Sequence, residues 1–346
     1  MSLFRHPGER TAPPAVDAAE RRRFLAALSL APAAGAVSTL AASSAAQAQT
    51  PVNSQAHIVI VGGGAAGLTA ANRLAAGLKG AKITLIDARK EHFYQPGFTL
   101  VAAGIKPGNY VVTATADYLP QGVEWVQASA AEIDPEARKV VTTDGKTIAY
   151  DFLVVTTGLK LDYAAIPGMD TGRIGQNGLG SIYHSPQAAS ATWGALSEFA
   201  DKGGVAVFSR PATEMKCAGA PLKYAFISDD HLRRRGTRSK SEVIYNAHNK
   251  AFFSVPIVSE KVRMLFEDRG VKTRMERVLQ SIDIDKRVAT FKTPDGTEDQ
   301  PYDFINVIPP MRAPDVVRNS PLRWQEGPWA ADGWMEVDRH TLRHKR

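Results

Sequence analysis

The stretch from residue 57 to 87 constrains the fold of this chain more than any other part. It begins with an apolar run at 58–61, which is long enough for one buried strand of a parallel sheet. A glycine-rich turn and an amphipathic segment follow, and a second apolar run at 83–86 ends at Asp87. A helix is expected from four apolar residues that share one face, Leu68, Ala71, Leu74 and Leu78. This order predicts a βαβ dinucleotide-binding unit.

The glycine-rich turn has the spacing Gly62-x-Gly64-x-x-Gly67, and each glycine has its own physical role. Gly62 permits the tight turn, Gly64 lets the backbone approach a pyrophosphate, and Gly67 lets helix and strand pack closely. The helix N-terminus offers unpaired N–H groups to phosphate, and Asp87 can accept a hydrogen bond from a ribose hydroxyl. The motif therefore predicts dinucleotide binding; the alternative is a tight turn without a ligand.

Composition limits the classes of protein that the chain can represent. Its 346 residues are 44% hydrophobic and 22% charged, which is typical of a globular protein with room for two domains. The net charge of +7 is spread along the chain, and the densest basic cluster, at 233–240, is interpreted as a solvated loop or helix end. No nucleic-acid partner is predicted. The single cysteine, Cys217, excludes an internal disulfide, and no metal site is predicted.

Residues 1–48 are interpreted as an export leader rather than as part of the fold. Arginines at 21–23 precede an apolar, alanine-rich run, and 46–48 carries the small residues that a signal peptidase reads. The run is shorter than the roughly 20 residues that span a bilayer. The alternative is an uncleaved leader that anchors the chain. The adjacent arginines before Phe24 resemble a twin-arginine signal, which predicts a periplasmic protein.

The segment after the βαβ unit has the order of elements found in flavin-binding domains. An alternating strand is expected at 122–131, a hairpin at 132–149, and a buried strand at 151–158 that ends in Thr157-Gly158. The aromatic residues and the Pro-Gly pair at 91–100 predict a loop that returns over the bound nucleotide.

A second nucleotide-binding unit is expected to open with another strand and another glycine fingerprint. The strand is predicted at 204–208, but the glycines are missing and Pro211 interrupts the turn. Cys217 lies in the same neighbourhood. The sequence therefore predicts a thiol at the place where a pyridine nucleotide would otherwise bind.

Three segments carry a resemblance to a known family: HFYQPGFTLV at 92–101, KCAGAPLK at 216–223 and VIPPMRAPDVV at 307–317. Together they resemble the sulfide:quinone oxidoreductases over roughly residues 56–344. The KCAGAP motif is most similar to the branch that includes the mitochondrial enzymes. The resemblance implies an α/β fold with two Rossmann-like domains, the second lacking an NAD fingerprint. The implied segments are a leader at 1–48, a first FAD-binding part at 56–165, an insert at 166–300 and a return segment at 301–346.

The resemblance also implies the cofactor contacts and the reactive residues. Non-covalent FAD is expected to contact Gly62, Gly64, Ala65, Ala66, Gly67, Asp87, Gln95, Ala130, Thr157, Gly158 and Pro309. Cys217 matches one of two cysteines that act on the reactive face of the flavin, where sulfide becomes persulfide or polysulfide sulfur. Lys216 and Lys223 are expected to favour its thiolate by charge. Without the motif, a lone cysteine is interpreted as a small buried hydrophobe.

Two departures from the family are visible in the sequence. Met335 stands where a related flavoprotein, the subunit of flavocytochrome c sulfide dehydrogenase, has its second cysteine. The printed chain ends where the family continues into a Gly-Asp motif, quinone contacts and membrane-contacting helices. The FAD-binding domain is therefore expected to be incomplete and to expose apolar surface, and the chain alone is expected to fold poorly or to hold FAD weakly.

The implied function is FAD-dependent oxidation of hydrogen sulfide, with the electrons passed to membrane quinone. Three alternatives remain: a flavocytochrome c subunit, a non-catalytic FAD-binding remnant, and an NADH:quinone dehydrogenase of the same fold. The missing second glycine motif disfavours the last of these.

Overall fold

The computed structural model describes residues 51–345. The predicted export leader at 1–48 lies outside the described residues. The expected α/β class is confirmed, because two parallel sheets with flanking helices form the body of the structure.

The first sheet contains the predicted βαβ unit. Its four parallel strands are β1 (His57–Val61), β2 (Lys82–Ile86), β3 (Val123–Val126) and β4 (Phe152–Val155), in the spatial order β4-β1-β2-β3. Residues 58–61 and 83–86 are buried, which confirms both predicted strands.

Helix α1 (Ala65–Gly77) connects β1 to β2 and packs against them. Its residues Leu68 and Ala71 are buried, as their spacing predicts, and Leu74 is half-buried. The prediction was wrong for Leu78. The helix ends at Gly77, and Leu78–Lys79 pairs with Val52–Asn53 as a short parallel ribbon.

Strand β4 lies at an edge of the first sheet and pairs with β1 alone among the described strands. Its burial was predicted wrongly, because Phe152 is 63% exposed and the other three residues are half-buried. An apolar edge strand with a free side explains this exposure.

Antiparallel pieces surround the first sheet. The predicted long strand at 122–131 is divided into β3 and a separate strand, Ala130–Asp134, which pairs with Lys139–Thr142 and, through it, with Thr147–Ala149. The segment at 91–100 is more regular than the predicted loop. It contains a strand, Glu91–Phe93, paired with Val112–Ala114, and then the short helix Phe98–Val101.

The second sheet has five parallel strands in the spatial order β5-β9-β6-β7-β8. They are β5 (Leu179–Gly180), β6 (Gly204–Ser209), β7 (Ser241–Asn246), β8 (Lys272–Arg274) and β9 (Phe304–Asn306). The predicted strand at 204–208 is confirmed as β6. Strand β9 falls within the range that the sequence assigns to the return segment; the domain boundaries themselves stay a prediction.

Helices α2 (Pro186–Lys202), α3 (Ala220–Arg234) and α4 (Pro256–Asp268) accompany the second sheet. A large aromatic core lies between the second sheet and these helices. Its fully buried members include Phe208, Tyr224, Tyr245, Phe266 and Phe304. A second core on residues such as Val207, Ile305 and Phe291 includes part of the antiparallel sheet Val278–Asp283, Val288–Thr293 and Gly296–Pro301.

The remaining elements are short. Lys160–Leu161 pairs with Met311–Arg312, and a one-turn helix spans Asp315–Arg318. Within residues 51–345, no helix has both the length and the apolar character that crossing a membrane requires.

The close contact between α1 and the end of β1 makes a prediction about stability. A Cβ added at Gly67 would lie 1.8 Å from the carbonyl oxygen of Gly62, a distance that the backbone must change to accommodate. We expect Gly67→Ala to lower the free energy of unfolding by about 2 kcal/mol or more, measured by urea denaturation.

Gly77→Ala is the matched control in the same helix. A Cβ at Gly77 meets no atom within 4 Å. This variant is expected to be neutral or to gain about 0.5–1 kcal/mol from helix propensity. Equal stabilities of the two variants would contradict the packing argument.

Candidate functional site

The glycine turn after β1 is held by a residue that the sequence analysis missed. Gly62 has φ +104°, and a Cβ there would lie 2.4 Å from the carbonyl oxygen of Thr156. The Thr156 hydroxyl in turn lies 3.0 Å from the carbonyl oxygen of Val61 and 2.8 Å from that of Gly62. The Thr-Thr-Gly sequence after β4 was the available signal, but it pointed to Thr157 rather than to Thr156.

The N-terminus of α1 has the features of an anion site. A Cβ at Gly64 would meet only one atom, Nη2 of Arg89 at 3.9 Å, so the backbone is open there. The N-cap residue Gly64 provides no side-chain hydrogen bond, and the first turn carries no acidic residue. Ala65 and Ala66 are exposed. Their backbone N–H groups can therefore serve a phosphate.

Asp87, at the tip of β2, is 9% exposed and strongly hydrogen-bonded. The backbone N–H of Gly63 donates to Oδ2 at 2.6 Å. Arg89 donates from its backbone N at 2.8 Å and Nε at 3.1 Å to Oδ1, and from Nη2 at 2.8 Å to Oδ2. Burial raises the pKa of Asp87, but the hydrogen bonds from Arg89 and Gly63 outweigh it and hold the pKa below its ordinary value.

These contacts test whether the turn fits a dinucleotide. The glycines and the helix N-terminus fit the phosphates. The Asp87 carboxylate faces the same turn, but Arg89 occupies acceptor positions that a ribose would use. The Arg89 side chain is 53% exposed, so it can leave. The turn therefore fits a dinucleotide once Arg89 has moved, a requirement that the sequence pattern did not reveal.

Cys217 lies in the loop between β6 and α3 and is exposed. Its φ is +49°, in the left-handed region that a non-glycine residue seldom adopts. Two donors fix its carbonyl oxygen: the backbone N–H of Ala220 at 2.9 Å and the hydroxyl of Tyr183 at 2.9 Å. The backbone conformation of the cysteine is thus set by its surroundings, a feature that clusters at functional sites.

A cavity of about 180 Å³ opens beside this loop. It brings together three predicted site residues, Gln95, Cys217 and Lys223, with Lys216 and the buried Tyr183. The ammonium of Lys216 donates to Oε1 of Gln95 at 2.6 Å, and that of Lys223 lies 3.4 Å from the carbonyl oxygen of Pro96. Two loops that are far apart in sequence therefore meet at the thiol. Tyr183 is a site residue that the sequence analysis missed, because no local pattern marks it.

The charge of Lys216 is weakened by its position. Burial is the main cause that lowers its pKa to about 8, and the nearby Arg89 guanidinium acts in the same direction, whereas the negative charge of a Cys217 thiolate opposes them. Lys216 therefore lies within electrostatic reach of both the thiol and the Asp87–Arg89 pair. Its ammonium charge, which favours a thiolate, is present below about pH 8 and is lost above it.

The segment with Pro309 lies against the cysteine loop. The backbone N–H of Met311 donates to the hydroxyl oxygen of Thr213 at 2.9 Å, and Thr213 belongs to the loop before Cys217. The carbonyl of Pro310 accepts from the backbone of Asp162 at 2.9 Å. Pro309 itself is buried. The return segment is thus fixed next to both halves of the chain.

Other predicted residues lie outside the cysteine cavity. Ala130 begins an outer strand and is half-buried, Thr157 is half-buried, and Gly158 is exposed with φ +68°. Met335 packs against the core of the first sheet and does not line the cavity. It therefore takes no part in the chemistry of Cys217 in this arrangement.

Comparison with known proteins identifies the relatives of the chain. Residues 56–197 match the family model described as pyridine nucleotide-disulphide oxidoreductase. The chain is 34% identical to the mitochondrial sulfide:quinone oxidoreductase of Mus musculus over 297 residues, covering 84% of this chain and 63% of that protein. It is 38% identical to the Dictyostelium discoideum protein of the same name, covering 83% and 62%.

A solved structure agrees with these sequence relatives. The sulfide:quinone oxidoreductase of Aquifex aeolicus superposes with a TM-score of 0.65 at 25% identity, covering 75% of this chain and 60% of that one. The resemblance inferred from the motifs is confirmed. The chain spans somewhat less than two thirds of the length of the curated relatives that it matches.

The lowered pKa of Lys216 predicts unusual reactivity. At pH 7, roughly a tenth of an amine with a pKa of about 8 is neutral and nucleophilic. Lys286, whose pKa is raised by Asp283, is the internal reference. In the flavin-free protein, we expect acetic anhydride to label Lys216 at least tenfold faster than Lys286, measured by peptide mass spectrometry. Equal rates would contradict the burial argument.

Proposed function

We propose, from the relationship to the sulfide:quinone oxidoreductases, that this chain oxidises sulfide at Cys217 with FAD as its electron acceptor. The observation that carries the proposal is the cavity where Cys217, Lys216 and Gln95 meet. It joins the thiol loop of the second sheet to the segment that follows the dinucleotide-binding unit of the first.

FAD would be held non-covalently by the residues around α1. Gly64 leaves room for the pyrophosphate, while Gly62 and Gly67 allow the tight turn and the close packing of α1 that form the site. The N–H groups of Ala65 and Ala66 would neutralise part of the pyrophosphate charge. Asp87 would accept the ribose hydroxyls after Arg89 leaves. When bound, the flavin supplies a two-electron acceptor.

Cys217 would receive the sulfur. Joining sulfide to the thiol forms one S–S bond, releases two protons and gives up two electrons, leaving a cysteine persulfide. The bound flavin would accept these two electrons. Lys216 and Lys223 supply positive charge at the cavity, and the hydroxyl of Tyr183 keeps the loop in place.

The family relationship also supports proposals about partners and location. Electrons would pass from the flavin to a membrane quinone, and the chain would contact the membrane surface peripherally. The arginines at 21–23 and the apolar run after them support export to the periplasm through a twin-arginine-type signal. These proposals rest on the sequence and on the named relatives.

A non-catalytic FAD-binding protein is the second candidate. It is favoured by Met335, which fills the position of a second cysteine in the flavocytochrome relative. Met335 packs against the core of the first sheet and does not line the cysteine cavity. A cysteine at this position would lie away from Cys217, which disfavours the flavocytochrome c alternative.

The visible spectrum of the purified chain tests the proposal. We expect a flavin absorption band that bleaches when sulfide is added without oxygen, because Cys217 transfers the electron pair. In Cys217→Ser the band should remain. Arg339→Gln, a change at an exposed position far along the chain, is the control and should bleach normally. A bound flavin that sulfide leaves oxidised would favour the non-catalytic candidate.

The Arg89 contact makes a separate prediction about affinity. Arg89→Ala frees the acceptor oxygens of Asp87, so the dissociation constant for FAD should fall by about fivefold, or about 1 kcal/mol. Asp87→Asn should raise it by about tenfold or more. Arg73→Ala, which changes an exposed arginine of helix α1, is the control. Fluorescence titration measures the dissociation constant for FAD in the three variants and in the unmodified chain. Weaker binding in Arg89→Ala would show that Arg89 holds the nucleotide instead of competing with it.

A further inference from the structure

The carboxyl edge of the second sheet holds polar groups that the proposed function does not use. Strands β6 and β7 run parallel, and their last paired residues are Ser209 and Asn246. Arg210, the first residue after β6, therefore lies beside the end of β7, which contains Tyr245. His248 follows the end of β7 by two residues. Ligands of open α/β sheets bind at this edge of the strands.

Arg210 lacks the partners that other arginines of this region have. Arg233, Arg238 and Arg269 all pair with the buried carboxylate of Asp229. Among residues 51–345, no carboxylate forms an ion pair with Arg210, and its buried Nε has no hydrogen-bond acceptor. Arg210 itself is half-buried, and a positive charge with a buried, unpaired Nε and no counter-charge favours an anionic ligand.

Two neighbouring groups are also unsatisfied. The hydroxyl of Tyr245 and Nδ1 of His248 are buried without a partner among the described residues, and Tyr245 is 0% exposed. The strand register places them at one edge of the sheet, because Tyr245 pairs with Phe208, two residues before Arg210, and His248 follows the end of β7 by two residues. The charge of Arg210 also acts on both side chains. Burial first, and then Arg210, lowers the pKa of His248 to about 4, so its imidazole is neutral near pH 7 and retains one N–H to donate.

We propose that Arg210, Tyr245 and His248 form a binding site for a small oxyanion at the carboxyl edge of β6 and β7. The guanidinium supplies the charge, and the hydroxyl and the imidazole supply further donors. Asn246 is not part of this site, because alternation along β7 places it on the opposite face of the sheet from Tyr245.

Arg210 begins the same loop that carries Cys217. Arg210 also acts on Tyr183, whose hydroxyl donates to the carbonyl of Cys217. The oxyanion site is nevertheless independent of the proposed function, since none of its three residues lines the cysteine cavity and no flavin is needed to form it.

Isothermal titration of the purified chain with sodium sulfate tests the site, with sodium chloride at equal ionic strength as reference. We expect saturable sulfate binding that Arg210→Gln weakens at least tenfold and Tyr245→Phe weakens about threefold. The second variant keeps the buried ring, so it remains informative if Arg210→Gln fails to fold. Arg339→Gln, which removes an exposed arginine, should bind sulfate as the unmodified chain does.

Three results would overturn the inference. One is sulfate affinity that stays within twofold in both Arg210→Gln and Tyr245→Phe. Another is an equal response to chloride, which would show general screening of charge. The third is a crystal structure grown in sulfate in which water alone bridges Arg210, Tyr245 and His248.

Discussion

The 2.6 Å hydrogen bond from the Lys216 ammonium to Oε1 of Gln95 joins the two functional halves of the chain. Gln95 follows the dinucleotide-binding unit of the first sheet, and Lys216 precedes the cysteine of the second. Lys223 makes a second contact across the junction, to the carbonyl oxygen of the adjacent Pro96. Every chemical role proposed for Cys217 depends on this junction, because it places the thiol beside the segment that follows the nucleotide site.

Holding the Lys216 ammonium at this junction is electrostatically unfavourable. Lys216 is partly buried and near Arg89, so its pKa is lowered, while a thiolate at Cys217 would favour its charged form. The loop itself is held in a left-handed conformation by Tyr183 and Ala220. A partly buried cation, a constrained cysteine and an open cavity in one place are expected where negative charge is formed or bound.

The sequence predicted the parts of the structure that depend on local pattern. The apolar runs of β1, β2 and β6 were sufficient because buried parallel strands require them. Contacts between distant segments could not be read in this way. The hydroxyl of Tyr183 reaches the cysteine carbonyl from a residue 34 positions away, and the exposure of β4 depends on which strands pack beside it.

A structure of the chain with FAD bound would test the central claim most directly. The account predicts that the reactive edge of the flavin lies in the cavity beside Cys217, with its C4a atom about 3–4 Å from Sγ, and that Arg89 has left Asp87. A flavin whose ring system lies away from that cavity, with Cys217 out of contact, would contradict the account.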